Sequence, residues 1–223
     1  MLKVKNKQAY QFELDAWQKN ELIFGIDEVG RGCLAGPVIA CCAVLNPFAS
    51  HDLLVDSKIL SENNLIKASQ WIKLNSLYAF GIIDTTHIDE LNIYKATQLA
   101  MKRAFYGLLL HPLLQQKPVV TLIDAVPLDL LGHYKVESFT KGESKSVSIA
   151  AASILAKTYR DELMILLGHR FPAYQFSSNK GYGTTAHQEG ILNQGISLLH
   201  RKTFLSPFIG ETAPTNTRQQ QIF

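Results

Sequence analysis

The chain has 223 residues, enough for one domain or one domain with an appendage, and its 47% hydrophobic content supplies a sizeable core. A net charge of +3 is too small to announce a nucleic-acid binder from composition alone. The three cysteines (Cys33 in a turn, Cys41 and Cys42 adjacent on an apolar run) fit neither a disulfide framework nor zinc-ligand spacing, which leaves reduced thiols. Met1 to Asn20 holds no apolar segment of signal-peptide length, and no window approaches the roughly 18 apolar residues of a membrane span. A soluble, cytoplasmic protein is expected.

Residues 6–18 carry Tyr10, Phe12, Leu14 and Trp17 among polar residues, the pattern of a short peripheral helix. Two apolar runs, 22–28 and 37–45, read as strands joined by a glycine-bearing turn, most simply an antiparallel hairpin. A helix is predicted over 61–74, with Ser61 as N-cap and Glu62 in its first turn. Tyr78 to Ile83 is a third strand. Over 88–110, Ile93, Ala96, Ala100, Ala104 and Leu108 recur at helical spacing and predict one long amphipathic helix. Pro118 to Asp124 is a further apolar strand, and Lys135 to Thr140 a short fifth one. The 147–167 stretch is a second long helix, whose Ala150-Ala151-Ala152 lets it lie close against a sheet or a metal site. From 168 the composition turns polar, with a helix expected at 184–195, and 210–223 reads as a flexible tail. Strands alternating with long helices predict a mixed α/β sheet flanked by helices.

Two strands end in acids. Leu22 to Ile26 runs into Asp27 and Glu28, and the run to Ile123 ends at Asp124, so both carboxylates fall near strand C-termini, where α/β sheets build their sites. The bland alternative for Asp27 is a strand-end residue capping the next turn. Alternation along a strand sends Asp27 and Glu28 to opposite faces. Both reach one site only if the strand ends or twists at Glu28, which Gly30 permits. With Glu143 they form a group of four acids. Two carboxylates about 4 Å apart repel by about 4 kcal/mol at an effective dielectric near 20, so a converging group needs cations. Oxygen ligands without a nearby cysteine select Mg²⁺ or Mn²⁺, and such clusters commonly hold two ions that serve phosphodiester hydrolysis. Gly30-Arg31-Gly32 adds backbone groups free of side chains and one guanidinium suited to phosphate.

The stretch Asp27-Glu28-Val29-Gly30-Arg31-Gly32, followed by Leu34-Ala35-Gly36-Pro37-Val38, closely resembles the signature of the ribonuclease HII family. The resemblance continues in the family's order through Asp56-Ser57-Lys58, Asn92-Ile93 with Ala96-Thr97, Ile123-Asp124 and Lys141-Gly142-Glu143. It then takes in Ser148 to Lys157, Arg160-Asp161, Gly181-Tyr182-Gly183-Thr184, His187 and His200-Arg201-Lys202, spanning roughly residues 22–204. The resemblance implies an RNase H-like catalytic domain over 1–205, including a C-terminal helical region at about 168–205, and a tail over 206–223. It also implies endonucleolytic cleavage of RNA in RNA–DNA hybrids and at single ribonucleotides in duplex DNA, with roles in ribonucleotide removal, DNA repair and primer processing.

Asp27, Glu28 and Asp124 match three of the family's metal-binding acids. Glu143 stands where the family usually has Asp, one methylene longer, and Asp161 is the competing candidate for the fourth place. The resemblance implies that Gly30, Arg31 and Gly32 recognise the 2′-hydroxyl at the RNA–DNA junction, the group that separates RNA from DNA, while Tyr182 packs under the neighbouring deoxyribose. Lys180, Arg201 and Lys202 are candidate phosphate contacts, which position rather than specify. His187 and His200 are assigned no proton transfer. The family often has Asp-Gly-Asn where this chain has Asp124-Ala125-Val126, and a second Lys where it has Ile59. The end of the chain, Gln219-Gln220-Gln221-Ile222-Phe223, resembles the peptide that docks into the bacterial sliding clamp through Gln219, Ile222 and Phe223; the alternative is a frayed terminus. Two other functional readings are a hybrid-binding module with a broken site and a DNA-directed two-metal nuclease of the same fold.

Overall fold

A computed structural model describes residues 7–114, 117–124, 126–131 and 134–205. The chain divides into two compact units, neither contiguous in sequence. Of the described residues, the first holds those up to Val29 together with those of Ile39–Ile82 and Thr97–Thr158; the second holds Gly30–Val38, Ile83–Ala96 and those from Tyr159 to Leu205. The 1–205 span expected as one domain thus contains the described parts of both.

The first unit is built on a five-stranded sheet in the order β3-β2-β1-β4-β5. The strands are β1 (Leu22–Val29), β2 (Val38–Leu45), β3 (Ser76–Ile83), β4 (Val119–Asp124) and β5 (Lys135–Phe139). β1 pairs antiparallel with β2, as the hairpin expectation had it, and parallel with β4, which pairs parallel with β5. The central strand is therefore the one carrying Asp27, and its continuous apolar run is buried on both faces.

Helices cover both faces. Residues 97–109 of α4 (Ile93–Leu109) lie on one, where Phe105 meets Phe24 of β1 edge-on at 5.8 Å. Residues 147–158 of α5 (Val147–Arg170) lie on the other, together with α2 (Glu62–Asn75), in a core of Cys41, Ala43, Leu45, Ala68, Ile72, Ala151 and Leu155. The close approach of α5 depends on Gly25: a Cβ there would stand 2.1 Å from the carbonyl carbon of Ser148. Ala150, Ala151 and Ala152 are wholly buried in the same helix, as the small side chains anticipated. Ser61 caps α2 by accepting from Asn64 N–H at 3.4 Å.

Two expectations change in detail. The long helix expected over 88–110 is two, α3 (Thr85–Leu91) and α4, broken at Asn92, which sits at φ 69° and accepts from Lys95 N–H. Asparagine tolerates that backbone region and restarts the next helix, so the apolar period runs across a real interruption. The N-terminal segment, a 3₁₀ turn Lys7–Tyr10 followed by α1 (Gln11–Gln18), is less peripheral than expected, because Glu13 is fully buried. Its Oε1 accepts from Ser146 Oγ at 2.5 Å and Ser148 N–H at 3.0 Å, placing a carboxylate at the start of α5, where the helix dipole favours it. Burial pushes the Glu13 carboxyl up.

The second unit packs Leu34, Ala35, Met164, Tyr174, Phe176, Ile191 and Leu205 into its own core. It contains α6 (Phe176–Asn179), α7 (Thr185–Gln194) and α8 (Lys202–Leu205); α7 matches the expected 184–195 helix, capped by Thr184. The tail beyond 205, with its clamp-like peptide at Gln219, Ile222 and Phe223, lies outside the described residues, as does Ala125.

Candidate active site

In the first unit, strand register sets the acids. Ile26 of β1 pairs with Ile123 of β4 in parallel, so the next residues along the two strands are Asp27 and Asp124. Asp27 lies on the same face as Gly25, the face that α5 covers, and is 8% exposed. Its Oδ1 accepts from Glu28 N–H at 2.8 Å, and Ser153 of α5 also bonds its carboxylate. Ser153 in turn meets Ser57 at 2.9 Å, which ties the Asp56-Ser57-Lys58 segment to the acid. Burial, then the charge of Glu28, hold the Asp27 carboxyl well above the usual range.

Asp124 closes β4. Its Oδ1 accepts from Gly142 N–H at 2.9 Å, which draws the short 3₁₀ turn Gly142–Ser144, and with it Glu143, to the strand end. Glu143 is 5% exposed; its Oε1 takes Lys58 Nζ at 3.3 Å, while its Oε2 is buried without a hydrogen-bond partner. Burial and the neighbouring Glu143 carboxyl raise the Asp124 carboxyl to about 6. Burial opposes ionisation of Glu143, but the bond to Asp124 and the charge of Lys58 outweigh it, and its pKa falls. The two carboxyls titrate as a coupled pair, with Lys58 favouring the ionised form of Glu143.

Glu28, the next residue on β1, is half-buried, and its charge raises both Asp27 and Asp124. Of the two conditions under which both acids could reach one site, the strand ending or twisting at Glu28, the first is not met: β1 runs to Val29. Among the described residues no group of three His, Cys, Asp or Glu side chains forms a closed metal site. Asp27, Glu28, Asp124 and Glu143 are instead linked pairwise, through charge, a backbone amide and Lys58. The donor set still suits a hard divalent ion: it is all oxygen, mostly buried, and includes an orphaned carboxylate oxygen on Glu143. Lys58 and Ser153, given no role from sequence, are both in contact with these acids; each lay in a stretch of the family resemblance, Asp56-Ser57-Lys58 and Ser148 to Lys157.

In the second unit, Gly30 is buried, Arg31 half-buried and Gly32 exposed. Gly30 needs to be glycine twice over, at φ 90° and with Arg160 Nε 2.3 Å from where a Cβ would stand. Tyr182 is 43% exposed. Lys180 sits in the left-handed region at φ 52° and bonds the Ser177 carbonyl through Nζ. Lys202 is exposed at the start of α8, where its N–H meets Asp89 at 2.9 Å.

Arg201 differs from a surface phosphate contact. It is fully buried, and its guanidinium donates only to backbone carbonyls: Gly36 from Nε and Nη2, Arg31 from Nη1 and Gly30 from Nη2. Arg160, which sequence reading passed over, is also fully buried, donating to Pro37, Lys180 and Ala35. His187 and His200 form a neutral chain. Because the Tyr182 carbonyl can only accept, His187 Nδ1 donates to it at 2.8 Å; His187 Nε2 then accepts from His200 Nε2 at 3.1 Å, and His200 Nδ1 accepts from Ser197 N–H. Burial lowers both, His200 to about 4, which keeps the chain uncharged and supports a structural role.

A mixed sheet with helices on both faces and acids at the ends of adjacent parallel strands is the architecture of the RNase H-like nucleases. It is shared with solved structures at low identity. The Mn²⁺ complex of Bst-RNase HIII superposes with a TM-score of 0.65 at 21% identity, covering 82% of this chain and 67% of that one. The ribonuclease H2 of Pyrococcus horikoshii OT3 gives 0.63 at 20% identity, covering 84% and 98%. The sequence pattern of the family described as Ribonuclease HII matches residues 24–206. Ribonuclease HII of Staphylococcus epidermidis is 46% identical over 87% of this chain and 73% of its own length, and that of Staphylococcus carnosus 47% identical over 88% and 75%. The chain belongs to the ribonuclease HII family, endonucleases of the RNase H type that act on RNA–DNA hybrids. No helix among the described residues is long and apolar enough to cross a membrane.

Proposed function

We propose that the chain hydrolyses the phosphodiester on the 5′ side of a ribonucleotide, in hybrids and at single ribonucleotides embedded in duplex DNA, leaving 3′-hydroxyl and 5′-phosphate ends. The observation that carries this reading is the register putting Asp27 and Asp124 side by side, with Glu143 drawn to the same strand end by Gly142. Asp27, Glu28, Asp124 and Glu143 would hold two divalent ions, Mg²⁺ or Mn²⁺. Such ions would supply an activated water and neutralise charge on the leaving oxygen.

The protein's own groups prepare that site. Ser153 and the Glu28 amide fix the Asp27 carboxylate, and Lys58 keeps Glu143 ionised. A bound cation would hold Asp124 fully ionised, since it favours the charged form. Glycines 30 and 32, Arg31 and Tyr182 read the ribose at the junction, and Lys180 and Lys202 contact phosphates. The protein acts as a cytoplasmic monomer in ribonucleotide removal and primer processing. The peptide at Gln219, Ile222 and Phe223 docks it to the sliding clamp; an archaeal RNase HII of similar fold, from Archaeoglobus fulgidus, has been solved as a complex with PCNA.

The test is a nicking assay on a duplex with one ribonucleotide, run with Mg²⁺, Mn²⁺ or chelator beside an all-DNA duplex. Divalent-dependent cutting at the ribonucleotide alone is expected. Comparable cutting of the all-DNA duplex would sink the reading in favour of a DNA-directed nuclease, and binding without cutting would leave a hybrid-binding module.

A further inference from the structure

Two arginines of the second unit lie fully buried, and all seven of their hydrogen bonds end on backbone carbonyls, mostly of one short turn. Buried guanidiniums ordinarily pair with carboxylates. Here Arg201 gathers the Gly30, Arg31 and Gly36 carbonyls, at 2.6 to 3.0 Å, and Arg160 those of Ala35, Pro37 and Lys180, at 2.8 to 3.1 Å.

A planar trans peptide points its C=O and the next N–H in opposite directions. Fixing the Arg31 carbonyl on Arg201 therefore turns the Gly32 N–H away from the guanidinium. Gly32 is exposed, and a Cβ added there would meet nothing within 4 Å, so that face of the turn opens to solvent. Gly30 and Gly36 are different. A Cβ on Gly30 would strike Arg160 Nε at 2.3 Å, and one on Gly36 would come within 3.2 Å of Arg160 Nη2. The turn is thus moulded on the two guanidiniums, and the same Arg160 fixes Lys180, two residues before Tyr182.

We propose that Arg201 and Arg160 are positioning residues for ribose recognition. Their guanidiniums set the direction of the peptide groups from Gly30 to Pro37, so that the Gly32 amide faces the sugar edge of a nucleic-acid strand, and neither arginine touches a phosphate. The proposal rests on the reading that this turn contacts the ribose.

The experiment measures binding in an Asp27→Asn background, which holds substrate without cutting it. Two duplexes are compared, all-DNA and with one ribonucleotide, across a salt series. Arg201→Lys keeps the charge but replaces the flat five-donor fork with a point charge that cannot hold three carbonyls in one plane. The expected result is an unchanged salt slope and unchanged affinity for the all-DNA duplex, while preference for the ribonucleotide duplex falls about tenfold, the worth of one hydrogen bond. Arg160→Lys should act in the same direction. If Arg201 were a phosphate contact, the neutral Arg201→Gln would weaken both duplexes alike and reduce the salt slope by about one; that result overturns the proposal. So does an Arg201→Lys protein with lowered melting temperature and unaltered preference, which would make the residue merely structural. Should Arg201→Lys fail to fold, Gly32→Ala, which meets no steric obstacle, reads the same amide: unaltered preference there also overturns the proposal. A parent protein that binds the two duplexes equally would instead defeat the underlying ribose-reading assignment.

Discussion

Asp27 is an acid held where its ionised form is costly, raised by burial and by the charge of Glu28. The metal-free fold is therefore less stable at pH 7 than at low pH on this residue's account, because a raised carboxyl contributes its stabilisation only while protonated. Asp27→Asn should therefore melt a few degrees higher than the parent in chelator, where one kcal/mol corresponds to roughly 2–4 °C, while cleavage falls about a thousandfold or more. Adding Mn²⁺ should raise the melting temperature of the parent and leave the variant nearly unmoved. A variant that melts lower in chelator would mean the carboxylate is satisfied without a cation.

His200 runs the other way. Its folded pKa is depressed to about 4 against 6.5, so its contribution is fully present above pH 6.5 and is lost as pH falls towards 4. Because it is buried, the loss is about 2–3 kcal/mol. Urea titrations at pH 7 and 4.5 should show the parent losing that much more stability than His200→Gln. Comparing the difference between the two proteins at each pH cancels the opposing contribution of Asp124, which gains as pH falls through about 6. Equal losses in the two proteins would show that the histidine chain is not held neutral.

At the scale of elements, the contact that matters most for chemistry is α5 against β1. Gly25 admits the start of the helix, and two residues further along the same face Asp27 meets Ser153. Gly25→Ala would put a methyl 2.1 to 2.3 Å from the Ser148–Ile149 backbone, which cannot swing aside like a side chain. A cost of about 3 kcal/mol is expected from chemical denaturation, with nicking lost in proportion to the displacement of Ser153 rather than to the fraction unfolded. If activity per folded molecule survives, the helix does not position the acid.

The elements were largely readable in the sequence. Continuous apolar runs marked β1, β2 and β4, and the abrupt acids at the ends of β1 and β4 marked the candidate site, because an ionised carboxylate is costly beside a buried strand unless something compensates it. The Asn92 break was invisible to periodicity, since Ile88 and Ile93 keep the apolar face going across it. The roles of Arg160 and Arg201 were unreadable for a different reason. An arginine's default is solvent, and nothing local in Tyr159-Arg160-Asp161 or His200-Arg201-Lys202 says that its partners are backbone carbonyls, most of them more than a hundred residues upstream. Glu13 was hidden likewise, its partners being Ser146 and Ser148.

For the whole molecule, the division into two units of interleaved segments could not be seen by reading in order, because Gly30–Val38 and Ile83–Ala96 join residues beyond 158 only once the chain has folded. The tail makes its own prediction. Removing residues 219–223 should leave the nicking rate on a short duplex unchanged while abolishing capture by the bacterial sliding clamp in a pull-down. Capture that persists after the deletion would return this peptide to an ordinary chain end.

All three cysteines are free and wholly shielded, two of them neighbours on β2 and the third just past Gly32. The native protein should therefore be inert to a thiol-reactive dye, and every molecule that does react must first have opened. A pulse of alkylating reagent followed by peptide mapping would time two separate openings, one at the middle of the sheet and one at the glycine loop, without any engineered label.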